Sequence, residues 1–428
     1  MPGRDRNTIR QAIRERSNEL VDLARHLIRY PTLSPPGRNT EQIQEEIARY
    51  LAGAGFEPDT FPVFPGDVDV VGTRRGSDPN THASLIFNGH VDVAEIGDRE
   101  AWTHDPFDPV IEGDRLYGRG SVDMKGPLAA ALFAARVLHD LGIEQRGDLI
   151  IQSVIGEEMG EAGTLTANER GYRADYAIVP EPMEFRFSGQ GGVITGWIEI
   201  QSPETLHDGV RARTIHAGGG LHGASAVEKM SKIVTALGEL ERHWAVMKHY
   251  PGFPPGTTTI NPSVIEGGRH PAFIADYCGL WVTVHFYPNE TWESVTQEIE
   301  DHVLRTAFAD LWMRDNPPTF NWGGRSMIED RGEIFPASAI PVDHPATHLL
   351  EDIHRDIIGT EPVHEMTTTV TDSGWLESAG IPTVIYGPGS LNQAHTIDEW
   401  ISVEELITAA EIYAVMIAEW CNERKPAT

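Results

Sequence analysis

Three short clusters carry the residues with the most evident chemistry: Gly89-His90-Val91-Asp92, Asp123 within Gly120–Gly126, and Gly156-Glu157-Glu158. Apolar runs that read as strands lead into two of them, Ser84-Leu85-Ile86-Phe87 before His90 and Leu149 through Ile155 before Glu157. A further run, Tyr176–Val179, stops at Pro180-Glu181-Pro182, and His395 follows Gly387-Pro388-Gly389-Ser390. Imidazole and carboxylates at strand ends point to a site on the carboxyl edge of an open α/β sheet. One ion cannot use so many oxygen donors, so the pattern implies more than one metal ion and favours hydrolysis.

Singly, each residue has a plainer reading. His90-x-Asp92 is ordinary loop polarity in most chains; as a site pair, the Asp92 carboxylate would orient the His90 ring. Asp123 precedes an Ala-rich helix and could simply cap it; the alternative is a carboxylate bridging two ions. Glu157 and Glu158 could form a solvated acidic loop. As neighbours they point in different directions, so one can ligate metal while the other acts as general base. Glu181, fixed between two prolines, and His395, after a Gly-Pro-Gly turn, would each more often be turn residues. The constellation weighs more than its members.

The elements needed to position these residues are legible. Asn7–Tyr30 reads as an amphipathic helix, and Asn39-Thr40 caps another through Leu51. From Val70 to Val179 strands and helices alternate, which predicts a largely parallel sheet covered on both faces. After Ser188–Gly192 the texture becomes strand (Val193–Ile200), helix (Ala224–Glu241), strand (Gly279–Val284) and helix (Glu290–Phe308), a small α+β module. The α/β pattern then resumes, with a strand at Pro382–Tyr386 and a closing helix at Val403–Trp420. The reading is a first domain of residues 1–188 and 313–428, interrupted by a module of residues 189–312.

The chain has 428 residues and a formal charge of −30, which argues against nucleic acid or anionic membrane as partner. Lysine occurs only at positions 125, 229, 232, 248 and 425, fitting either a high-salt habitat or an Arg-preferring genome. Cys278 and Cys421 have neither disulfide-framework nor thiolate-site spacing. No run reaches the roughly 20 apolar residues of a membrane span, and a cytoplasmic protein is expected.

The ordered motifs resemble those of the zinc-dependent amidohydrolases that include acetylornithine deacetylase, succinyl-diaminopimelate desuccinylase, aminoacylase and glutamate carboxypeptidase. The resemblance runs from Pro31-Thr32-Leu33-Ser34 through Asn88–Val93, Trp102–Phe107, Leu116–Gly120, Asp123–Gly126, Gly156–Glu158 and Pro180–Pro182 to Ala394–Glu399. It implies a zinc-peptidase-like α/β catalytic domain with a mainly parallel sheet, an inserted α+β lid or dimerisation domain, and a homodimer. It implies two Zn²⁺, replaceable by Co²⁺ or Mn²⁺: His90 and Glu181 on one ion, Glu158 and His395 on the other, and Asp123 bridging. Asp92 would orient His90, Glu157 would be general base, and His216 of the lid would stabilise the oxyanion. His285, Asp372, Gly387 and Gly389 would face substrate.

One departure bears on substrate. Where the family has an Arg that grips a substrate carboxylate, this chain has His285 before Phe286-Tyr287-Pro288. A bidentate, always-charged fork has become an imidazole. The expected substrate is therefore a small acylated amine, including one without an α-carboxylate, such as the formylaminopyrimidine taken by a subgroup of the family. Pro35–Thr40 is similar to that subgroup. The alternatives are a di- or tripeptidase or carboxypeptidase of the same mechanism, and a catalytically silent small-molecule-binding protein.

Overall fold

The computed structural model describes residues 6–160, 162–210 and 223–425. They form two compact units, one of residues 1–190 and 338–428, the other Gly191–Ala337.

The first unit is built on an eight-stranded mixed sheet. Its order is Glu57–Phe64, Asp67–Arg74, Leu149–Val154, Leu85–His90, Tyr176–Val179, Thr383–Ile385, Phe187–Gln190 and His364–Thr367. The four central strands run parallel: Leu85 pairs with Leu149 and Tyr176, and Thr383 with Ala177. Every residue of Leu85–His90 and Leu149–Val154 is buried, as expected for strands covered on both faces. Full burial of Leu85, Ile86 or Phe87 contributes roughly 1.5–3 kcal/mol each. The helices Lys125–Asp140 and Val403–Trp420 pack together and are apolar nearly all round.

The expected helix over Asn7–Tyr30 is two helices, Arg6–Glu15 and Ser17–Ile28. The break falls at Arg16, whose backbone leaves the helical region while its guanidinium pairs with Glu19 and Asp140. The apolar spacing continues across that break, so periodicity alone does not reveal it.

A three-stranded sheet of Val110–Glu112, Arg115–Tyr117 and Trp400–Ser402 ties distant chain segments together. Trp400 lies opposite Tyr117, and the Gly118 N–H donates to Glu399 O at 2.9 Å.

In the second unit, Ile260–Gly267, Tyr277–Phe286, Gly192–Gln201 and Thr319–Trp322 form an antiparallel sheet, with Ile334–Phe335 also on Gly192–Gln201. The helices Ala226–Met247 and Trp292–Ala309 complete an α+β core. This unit therefore extends to Ala337, beyond the expected return at residue 313. Thr319–Trp322 and Ile334–Phe335 are short and only partly buried, and give no apolar run to mark them.

Candidate metal centre

His90 is the last residue of its strand, buried to 1% exposure. Its Nε2 lies 3.1 Å from Asp123 Oδ1, 3.7 Å from Glu181 Oε1 and 3.8 Å from Glu157 Oε2. The other Asp123 oxygen, Oδ2, is 3.3 Å from His395 Nε2, which in turn is 2.8 Å from Glu158 Oε2. Asp123 thus stands between two imidazoles, one oxygen to each. It does not cap the following helix, whose N-cap is Met124 without a side-chain cap bond. Ligand atoms of His90, Asp123 and Glu158 all lie within 4.8 Å of one another.

Asp92 differs from expectation. His90 Nδ1 lies 2.9 Å from the Asp92 backbone carbonyl, while the nearer Asp92 carboxylate oxygen is 3.6 Å away. That carboxylate accepts instead from Gly156 N–H (2.8 Å) and Glu158 N–H (3.1 Å). Asp92 therefore fixes the His90 tautomer through its backbone, and with its side chain grips the turn that presents Glu157 and Glu158. Ala94 N–H holds Glu158 Oε1 at 2.9 Å.

The electrostatics test whether cations fit here. Burial pushes the Glu157 carboxyl well above its usual range, and nearby Glu181, Glu158 and Asp372 push it further. Burial, then the Asp123 charge, also raises Glu181 and Glu158. For His90 burial opposes the charge, but Asp123, Asp92, Glu157 and Glu181 outweigh it and raise the imidazole well above normal. His395 is raised to about 10 by hydrogen bonds to Asp123 and Glu158. Two imidazoles are too little positive charge for this set of carboxylates, and divalent ions between the same donors would supply it. The residues present fit two metal ions.

Other expected residues fall differently. Asp372 is buried, its Oδ2 without a hydrogen bond and its carboxyl pushed up to about 7 by burial. Gly387 and Gly389 have packing reasons to be glycine. A Cβ on Gly387 would lie 2.5 Å from the carbonyl oxygens of Pro180 and Glu181, and one on Gly389 2.3 Å from Val122 Cγ2. His285 belongs to the second unit, its pKa lowered by burial. His216 lies outside the described residues.

The reading by motif did not single out Arg119 and Glu399. They form a buried ion pair at 2.6 Å beside Asp123, and Glu399 is pushed up to about 7 by burial. A signal existed: Arg119 lies between two glycines just before Asp123, and Glu399 closes the His395 motif.

Residues 86–419 match the model of peptidase family M20/M25/M40, and the chain belongs to that family. It is a hydrolase of linear amides, with an M20 catalytic fold and an inserted α+β unit. The chain is 55% identical over 418 residues to N-formyl-4-amino-5-aminomethyl-2-methylpyrimidine deformylase of Bacillus subtilis (strain 168), covering 98% of each. It is 52% identical over 407 residues to the deformylase of the same name from Halalkalibacterium halodurans, covering 95% of each. Among solved structures it resembles the YXEP protein of Bacillus subtilis, described as a dinuclear metal-binding peptidase from the M20 family. That match has a TM-score of 0.65 at 15% identity and covers 95% of this chain and 98% of the other.

Proposed function

We propose that this chain is a deformylase that hydrolyses N-formyl-4-amino-5-aminomethyl-2-methylpyrimidine to formate and the free amine, using two Zn²⁺ ions. The observation that carries this reading is the 55% identity to a deformylase of that substrate over 98% of both chains. His285 supports it, because the formylated aminopyrimidine has no carboxylate for an Arg to grip.

His90, Glu181 and Asp123 would hold one ion, and Glu158, His395 and Asp123 the other. When bound, the ions polarise the formyl oxygen and lower the pKa of water. Glu157, within the cluster but free of any Lys or Arg partner among the described residues, takes a proton from the attacking water on a carboxylate oxygen. Water oxygen bonds to the formyl carbon, the C–N bond breaks, and Glu157 returns the proton to the departing nitrogen. His216 donates a hydrogen bond to the developing oxyanion. Asp92 holds the Gly156–Glu158 turn, so Glu157 stays aimed at the reacting water. Asp372 is assigned to support of this pocket, Gly387 to close packing against Pro180 and Glu181, and Gly389 to close packing against Val122 and Ile401.

The chain works as a homodimer through the inserted unit. Its strand Ile260–Gly267 is an exposed sheet edge, with Val264 and Ile265 open to solvent. Free, buried Cys278 and Cys421 fit a reducing cytoplasm.

The test is release of formate from the formylaminopyrimidine by the zinc-loaded protein, beside N-acetylornithine, a dipeptide and a tripeptide. The expected outcome is a kcat/KM highest for the formylaminopyrimidine. A higher value for a peptide or for acetylornithine would overturn the substrate, and no hydrolysis with either Zn²⁺ or Co²⁺ would favour a silent binding protein.

A further inference from the structure

His90 and His395 are held in unlike ways. His90 ends a buried central strand whose ladder fixes its backbone. His395 sits on a loop, is 56% exposed at its side chain, and has a φ of +60°. That left-handed conformation costs a non-glycine residue on the order of 1 kcal/mol. Packing and sheet pairing therefore do not account for the placement of the second imidazole.

Arg119 and Glu399 fill that gap, although they lie 280 positions apart. Their side chains are 1% and 0% exposed. Glu399 Oε2 accepts from Arg119 Nη1 at 2.6 Å, and Oε1 accepts from Val122 N–H at 2.9 Å and Asp123 N–H at 3.2 Å. Arg119 Nη2 donates to Glu95 O at 2.7 Å and His395 O at 3.3 Å. The Trp102 ring lies 5.3 Å from the guanidinium carbon. One buried pair thus grips the backbone of Asp123 at one end and of His395 at the other. A buried ion pair yields little net stability over apolar residues of similar volume, so this pair calls for another role.

We infer that Arg119 and Glu399 are positioning residues that set the distance between Asp123 and His395, and so the affinity for the ion held by Glu158 and His395. The inference rests on the two-ion reading above. It requires the effect to fall mainly on one ion: Asp123 is shared, but the other ligands of the first ion, His90 and Glu181, draw their geometry from the central strands.

The experiment is titration of the metal-free, full-length protein with Co²⁺ and Zn²⁺, by visible absorption and calorimetry. It compares wild type, Glu399→Gln, Arg119→Lys and His395→Ala, with thermal midpoints of the metal-free forms beside them. The step lost in His395→Ala identifies the site concerned. Glu399→Gln should weaken that step about 10- to 100-fold and the other step clearly less. Arg119→Lys, which keeps the charge but loses the fork, should weaken it less. A metal-free midpoint near that of wild type would support positioning. Equal weakening of both steps, or of neither, overturns the inference; if Glu399→Gln does not fold, Arg119→Lys alone decides. Wild type binding a single ion overturns the two-ion reading and the inference together.

Discussion

Asp310 in the inserted unit and Glu157, Glu158 and Glu181 in the first unit are carboxylates largely withdrawn from solvent, with opposite surroundings. Lys229 Nζ lies 2.9 Å from Asp310, Lys232 pairs with the same oxygen, and the N–H groups of Trp312 and Met313 donate to the other at 2.9 and 3.0 Å. Burial alone would raise Asp310, but the lysines and N–H donors outweigh it and hold the carboxyl well below the usual range. Glu157, Glu158 and Glu181 have no such lysines among the described residues, and burial raises all three. Two of the chain's few lysines serve Asp310; none touches the glutamate cluster. A carboxylate whose charge is balanced within the protein is doing structural work. A cluster left unbalanced is built for something that arrives from solution, and here the geometry matches metal.

The largest effect expected from this contrast is at Glu157. Glu157→Gln should lower kcat by about 10²–10⁴-fold, the usual contribution of a general base, with metal content retained. The same change removes one unbalanced charge, so the metal-free variant should be at least as stable as wild type at pH 7. Assay, metal analysis and thermal denaturation of the metal-free protein check the three parts. Near-normal turnover would remove Glu157 as base, and a large loss of stability would break the contrast.

The candidate ligands His90, Glu158 and Glu181 were legible because each lies where an apolar strand stops, a signal carried by adjacent residues. What depends on contacts between remote segments was not. His-x-Asp spacing cannot say whether Asp92 meets His90 through its carboxylate or its carbonyl, because that turns on the Gly156 and Glu158 N–H groups, at another strand end, donating to the carboxylate. Arg119 and Glu399 meet only because the short strands Arg115–Tyr117 and Trp400–Ser402 pair. The end of the inserted unit was misplaced for a similar reason: Thr319–Trp322 is held by its register with Gly192–Gln201 rather than by its own apolar content.

A smaller effect is expected at Asp310. Asp310→Asn keeps the acceptor for the two N–H groups but loses the charge between two lysines. It should lower stability at pH 7 by about 1–3 kcal/mol and leave kcat for the formylated substrate unchanged. Because the folded carboxyl is depressed, its contribution is present above the unfolded value near 3.9 and is lost as pH falls further. The gap between variant and wild type in denaturant melts should therefore shrink below about pH 4. A gap that is constant with pH, or a loss of turnover, would show that balanced charge is not what Asp310 provides.

The smallest effect separates an unbalanced cluster from a single unbalanced carboxyl. Glu377, in the helix Ser373–Ser378 of the first unit, accepts from Ala339 N–H at 2.8 Å, and burial pushes its carboxyl up to about 7. It has no lysine or arginine ion pair among the described residues, yet it is not among the ligand atoms that converge on Asp123. Its folded pKa lies above the unfolded value near 4.3, so the folded state binds the proton more tightly. Stability attributable to Glu377 is then full below about pH 4 and falls as pH rises through 7. Glu377→Gln should leave stability unchanged at pH 4 and raise it by on the order of 1 kcal/mol at pH 8, after allowance for solvent screening of a half-buried group. Activity and metal content should not move. If Glu377→Gln released metal, an isolated buried carboxyl would belong to the centre and the distinction drawn from Asp310 would fail; if only the pH dependence of unfolding changed, convergence of several such groups is what marks the site.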